Sequence, residues 1–347
     1  MHHVLIVGQG IAGTVLARRL FLHGIPFKVV DFQRPVQASF VASGIYNPIV
    51  LKRMNPVWEA SKMMNGLSFF YNDFQEFLDN NFHFQMPIIR VFSDIQEQND
   101  WAVACDHPFM SRYLQKQMNQ DFNTGLHTPY GVGVLNFCGR IDTYRMLTAF
   151  REWLKSNYLF FNEQFHHEDL ISKGHQLYWK DQAFSHVVFC EGFQIVHNRL
   201  QNENEGFAFA KGEVIEIFCP DLDLSSIVNA GVFILPIGGG YYKVGATYAW
   251  NTLDETPTEA KQVFLKGQLE KVLTKPYQIV KHESGIRPTM KDRKPLVGPI
   301  AGKTSHFMLN GLGSRGVLMA PWLSDLLIQH MFVGQSIPAV LLPGRFN

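Results

Sequence analysis

Apolar residues fall into two alternating rhythms at the start of the chain. Positions 3–7, His-Val-Leu-Ile-Val, form an unbroken apolar run of strand type, a Gly-rich bend follows at 8–13, and Leu16, Leu20 and Phe21 then recur at helical spacing. Gly24 stands where a left-handed helix end favours glycine, and positions 27–31, Phe-Lys-Val-Val-Asp, read as the next strand. The expected unit is β-α-β.

Further along, Asn55-Pro56 offers an N-cap followed by a residue suited to the first helical turn. Trp58, Met63, Leu67, Phe70 and Phe74 then keep helical spacing, which predicts one long amphipathic helix through Leu78. Residues 82–135 read as an inserted, strand-bearing region containing the apolar patch 87–92. Helical periodicity returns over 141–154, and 186–190 is a buried-type strand running into Glu191-Gly192. Segments 212–218, 232–236 and 242–247 read as strands joined without helices, as an antiparallel sheet requires. Thr256-Pro257-Thr258-Glu259 matches a capping box that opens a helix to about Leu273.

Composition narrows the class. With 347 residues, 46% hydrophobic and 18% charged, the chain has material for a large core and is not of disordered type. Its 31 basic and 30 acidic residues give a net charge near +1, which disfavours a dedicated nucleic-acid binder. Cys105, Cys138, Cys190 and Cys219 form no Cys-x-x-Cys pair and fit a reducing compartment. No leader-like segment opens the sequence, and no apolar run reaches the roughly 20 residues of a membrane span, so a cytoplasmic enzyme is expected. The histidines show no metal-ligand spacing, and Gly-x-Ser-x-Gly is absent, so neither a metal site nor hydrolase chemistry is indicated.

The first chemical signal is Gly8-Gln-Gly-Ile-Ala-Gly13, with Asp31 18 residues beyond its last glycine. Gly8 permits the tight turn, Gly10 lets backbone approach a pyrophosphate, and Gly13 lets helix and strand pack closely. The helix start at Ile11 and Ala12 offers free N–H groups and the positive end of the dipole. Asp31 is placed to bind ribose hydroxyls and disfavours a 2′-phosphate, so NADP is not expected there. A glycine turn alone needs no ligand; strand, helix and acid together indicate a dinucleotide, NAD or FAD.

Further stretches make the sequence resemble the D-amino-acid oxidase superfamily of FAD enzymes, which includes glycine oxidase and sarcosine oxidase. They are Ala42-Ser-Gly-Ile-Tyr-Asn-Pro48, Val187-Val-Phe-Cys-Glu-Gly192, the Gly285-Ile-Arg-Pro288 segment and Asn310-Gly-Leu-Gly-Ser-Arg-Gly316. The resemblance implies that Ser43, Gly44 and Gly192 lie along FAD. It implies that Arg287 grips a substrate carboxylate, a role suited to a planar guanidinium; an interdomain ion pair is the alternative. The turn with Gly311, Gly313, Ser314, Arg315 and Gly316 would stabilise negative charge on the reduced flavin, with Pro321 delaying or kinking the helix after it. Lys243, in Lys-Val-Gly245, resembles the sarcosine-oxidase lysine that assists oxygen; a solvent-facing strand lysine is the alternative.

Two departures matter. The strand at 233–236 lacks the tyrosine that contacts substrate in some amino-acid oxidases, leaving Tyr241 or Tyr242 as substitutes. No cysteine stands in the Gly-rich C-terminal region, so FAD is expected to be non-covalent.

The implied architecture is α/β. A Rossmann-like FAD-binding domain (1–80, 136–205 and 285–347) carries a second, mixed or antiparallel-sheet substrate domain (81–135 and 206–284). The implied reaction oxidises a C–N bond of an amino acid or secondary amine by hydride transfer to flavin N5. The Gly-rich turn is also similar to the oxidase half of the bifunctional tRNA wobble-uridine enzyme, without its methyltransferase half, so a tRNA substrate stays open. A flavin-binding dehydrogenase subunit is the third reading.

Overall fold

Strand Val4–Val7 is buried at every position because it lies mid-sheet with neighbours on both sides and protein on both faces. The computed structural model describes residues 4–32, 34, 37–119, 125–174, 176–197, 206–250 and 252–346. His3 and the expected boundary at residue 205 lie outside them. The first sheet has six strands in the order Phe160–Asn162, Phe27–Asp31, Val4–Val7, His186–Phe189, His306–Asn310 and Leu296–Pro299. All its pairings are parallel except the last, so widely separated parts of the sequence meet in one sheet.

Helix Ile11–Leu22 packs against this sheet and against helix Gly316–Val333, burying Val15, Leu16 and Leu20 in the same core as Val317, Leu323 and Leu327. The second helix has the length and mean hydropathy (1.3) of a membrane span, but 56% of its residues are buried in the protein, where it serves as a core helix. It begins at Gly316 and carries Pro321 inside, so the late start expected from that proline is corrected. Proline has no N–H for the carbonyl four residues earlier, that of Val317. Buried Tyr71 donates its hydroxyl to that carbonyl at 2.7 Å, which satisfies the orphaned acceptor from another helix. Tyr71→Phe is therefore expected to cost about 1–2 kcal/mol of stability through an unpaired buried carbonyl. A thermal or urea midpoint equal to wild type would contradict this.

The second sheet is larger. Seven strands run in the order Ala249–Trp250, Ala210–Phe218, Tyr241–Gly245, Val232–Gly238, Ile227–Ala230, Ile88–Val91 and Val132–Leu135, with Gln278–Arg287 also paired to Ala210–Phe218. Its pairings are antiparallel except that between Ile227–Ala230 and Ile88–Val91. Helix Glu259–Leu269 covers one face through Leu265 and Leu269.

Two helix expectations are corrected. Asn55–Pro56 is a short strand against Ile49–Val50, and the expected single helix is two, Ala60–Met64 and Leu67–Phe77, broken at Gly66 with φ 71°. The apolar spacing is nonetheless real, since Met63, Leu67, Phe70 and Phe74 are all buried. The helix expected from Thr256 is capped at Thr258 and ends at Leu269. The N–H and hydroxyl of Thr258 both bond the buried Glu213 carboxylate, at 2.8 and 3.0 Å, so this side chain anchors the helix to the sheet instead of closing a capping box. Leu273 instead bridges to Leu126.

Candidate active site

At the end of strand Val4–Val7 the chain must turn sharply beneath a neighbouring strand. Gly8 does this at φ 100°, where a Cβ would lie 2.6 Å from the Cys190 carbonyl oxygen. A Cβ on Gly13 would come within 1.9 Å of the Gly8 carbonyl oxygen, so this glycine fixes how closely helix and turn approach. Gly10 faces Ser39, whose Oγ accepts from the Ile11 N–H at 3.2 Å.

Asp31 closes the next strand and accepts from Arg151 Nη2 at 2.7 Å. Arg151 also donates from Nε to the side chain of Gln9, which in turn reaches the Leu147 carbonyl. Burial pushes the Asp31 carboxyl up, against the pull of Arg151. Arg151 lies 120 residues away on helix Thr143–Ser156, and no local pattern announces it.

From this end a cavity of about 450 Å³ extends between the two sheets. Its lining includes Gly8, Gly10, Ile11, Ala12 and Asp31 at one end and Phe233, Tyr248 and Arg287 at the other, with Ser43, Gly44 and Gly192 between. Gly313, Ser314, Arg315 and Gly316 close one side. Cys190 also faces the cavity, with burial pushing its thiol up and away from thiolate character.

Three expected residues do not line it. Gly13 and Gly311 act behind the wall, the latter at φ 72° with Met290 where a Cβ would go. The Lys243 ammonium donates to the Val41 carbonyl at 3.2 Å and lies 3.9 Å from Glu283, one peptide behind the wall that Val41 lines. Burial pulls its pKa down, opposed by Glu283 and Glu216.

The donor set suits FAD. The Ser43 hydroxyl is buried without a hydrogen-bond partner, a polar group poised for a ligand, and Gly44 (φ 64°) has no room for a Cβ beside the Ile141 carbonyl. In the C-terminal turn the N–H groups of Gly313 and Arg315 are already bonded to the carbonyls of Pro288 and Leu312. Favourable charge at that end therefore falls to the helix start at Gly316.

Arg287 ends strand Gln278–Arg287 and lies across Gly212, where a Cβ would be 2.0 Å from its Nη2. Its Nη1 donates to the Thr247 carbonyl at 3.3 Å, and its guanidinium carbon stands 4.4 Å from the centre of the Tyr248 ring. Among the described residues no carboxylate lies within 4.0 Å of it, so the interdomain ion pair is not found. Neighbouring Lys291 and Arg293 are exposed. The substitute tyrosines are corrected: Tyr242 is buried with its hydroxyl on the Leu222 carbonyl, Tyr241 faces outward, and the tyrosines that line the cavity are Tyr46, whose hydroxyl pairs with His83, and Tyr248.

The family model for FAD dependent oxidoreductases of the DAO type matches residues 3–330, and the chain belongs to that family. It is an enzyme of the FAD-dependent oxidoreductase class. It is 29% identical to glycine oxidase of Pseudomonas aeruginosa over 124 residues, 35% of this chain and 34% of that one. It is 32% identical over 108 residues to the tRNA 5-methylaminomethyl-2-thiouridine biosynthesis bifunctional protein MnmC of Thiobacillus denitrificans, 30% of this chain and 17% of that one. The matched part thus spans about a third or less of these relatives. The fold is similar to that of glycine oxidase from Bacillus cereus, with a TM-score of 0.80 at 16% identity, covering 97% and 96% of the two chains.

Proposed function

We propose that the chain oxidises the C–N bond of an amino acid or secondary amine that carries a carboxylate next to the reacting carbon. The observation carrying this is the Arg287 guanidinium, which lines the cavity with no acidic partner among the described residues. Burial lowers its pKa, yet a guanidinium keeps its charge in proteins, so the site holds a cation that a carboxylate would neutralise.

In this reading Arg287 grips the carboxylate, while Thr247 and Tyr248 hold the guanidinium plane in place. Phe233, Ile227 and Ile88 supply an apolar wall that excludes water from the donor carbon. Gly8 to Gly13, Asp31, Ser43, Gly44, Gly192 and the turn from Gly311 to Gly316 hold the coenzyme. Bound FAD supplies the two-electron acceptor, and water hydrolyses the resulting substrate imine to a carbonyl compound and an amine or ammonia. The division into a FAD domain (1–80, 136–205, 285–347) and a substrate domain (81–135, 206–284) belongs to the same reading, supported by a cavity lined from both sheets.

Lys243 contributes its charge one peptide behind the wall. Lys243→Met is expected to slow reoxidation of the reduced enzyme by oxygen about tenfold, the scale of one poorly screened charge. An unchanged stopped-flow rate would restrict Lys243 to holding the 38–41 helix.

Product analysis tests the reaction class. Turnover of N-methylglycine should release glyoxylate with methylamine, or formaldehyde with glycine, in equal amounts. Consumption without a carbonyl product and its amine would reject C–N oxidation. The likeness to the tRNA-modifying relative favours a second reading, a carboxymethylaminomethyl nucleotide as amine; reduction of the flavin by modified tRNA but by no free amine would select it.

A further inference from the structure

Charged side chains lining the cavity divide into those with and without an opposite partner. Asp31 is paired with Arg151 at 2.7 Å, Glu191 bonds His167 at 2.9 Å, and Arg34 faces Glu255 and Asp31. Two guanidinium groups remain, Arg287 and Arg315. Arg315 is half-buried at the cap of helix Gly316–Val333, and among the described residues no carboxylate lies within 4.0 Å of it. Arg287 packs on the Tyr248 ring, and Arg315 lines the same cavity.

Two cations that line one cavity with no carboxylate beside either, among the described residues, are costly to desolvate. The coenzyme does not relieve both: its diphosphate belongs at the Gly8–Gly13 turn, at the start of the other helix, and the oxidised flavin ring is neutral. One substrate carboxylate answers Arg287 and leaves Arg315 over.

We propose that the substrate carries two carboxylates, one held by Arg287 and the other by Arg315, so that the preferred donor is a dicarboxylic amine, of which an iminodiacid is the simplest case. Arg315 is then the residue that sets specificity between mono- and dicarboxylic amines. This rests on the reading of Arg287 as the carboxylate anchor. It extends that reading by assigning a second anion position which the turn's expected role toward flavin did not include.

Inert analogues test it without turnover. Glutarate has the chain length of iminodiacetate, and butyrate is the same chain with one carboxylate removed. Titrated into the FAD-loaded protein and followed through the flavin visible spectrum, glutarate should bind at least about tenfold more tightly than butyrate, the scale of one charge-assisted bidentate pair. In Arg315→Ala that ratio should fall to near one, and Arg315→Lys should recover part of it as a point charge.

Equal binding of the two acids by wild type would overturn the proposal. So would a ratio that survives in Arg315→Ala while the flavin midpoint potential drops, which would assign Arg315 to the coenzyme. Failure of the amine-oxidation reading looks different: glutarate would keep its Arg315-dependent advantage while no carboxylated amine reduced the flavin.

Discussion

Arg287→Ala should lower kcat/KM for a carboxylated amine by about a thousandfold, corresponding to roughly 4 kcal/mol for one partner of a buried charge-assisted pair. Two contributions combine. The substrate carboxylate loses a bidentate partner, and the carbon to be oxidised loses the anchor that fixes its distance and angle. Because Gly212 exists in van der Waals terms to let the guanidinium lie flat, a smaller side chain leaves a gap without displacing the sheet. The variant should therefore fold and bind FAD normally, and a steady-state assay beside an unchanged visible spectrum would show a site-specific loss. Kinetics within about threefold of wild type would remove Arg287 from the substrate site.

Gly13→Ala should act at the other end and by a different route. The added methyl would lie 1.9 Å from the Gly8 carbonyl oxygen, well inside any tolerated contact, and the obstacle is backbone that cannot rotate aside. Helix Ile11–Leu22 must withdraw from the turn, moving its first N–H groups away from where a diphosphate would be held. Overpacking of this kind costs up to about 3 kcal/mol, which as lost coenzyme affinity is about a hundredfold in Kd. Purified protein would emerge with substoichiometric FAD, measured by absorbance after denaturation, while circular dichroism kept its wild-type shape. Full FAD occupancy in this variant would show that the turn does not set the binding geometry.

The nucleotide half was largely legible because its rules are local. A strand, a glycine bend, a helix and an acid lie within the first 31 residues, and each is required by its immediate neighbours. Residue types also marked Arg287 as a candidate, and it lines the cavity with no carboxylate within 4.0 Å among the described residues. What stayed hidden depends on contacts between distant segments. Tyr248 enters the cavity because Thr247 is bonded to Glu213 and Arg287 on other strands, whereas Tyr241 and Tyr242 were the phenols visible by position. Arg151 supports Asp31 across 120 residues.

The helix errors have the same origin. The spacing of Trp58 to Phe74 correctly marked a buried face but could not show the break at Gly66. At Thr258, the carboxylate of Glu213 takes the N–H and hydroxyl, and the helix starts two residues beyond the Thr256 cap that local propensity indicates. Pro321 was read as an interruption because the partner that makes it tolerable, Tyr71, is 246 residues from the carbonyl it serves.

The most direct measurement is anaerobic mixing of the FAD-loaded protein with glycine, N-methylglycine and iminodiacetate, watched in the visible spectrum. Rapid loss of the yellow absorbance with at least one of these amines, and none with the same amines converted to their carboxyl esters, is the expected result. A flavin that stays oxidised against all the carboxylated amines, or that is reduced equally well by the esters, would contradict a site built around an arginine–carboxylate pair.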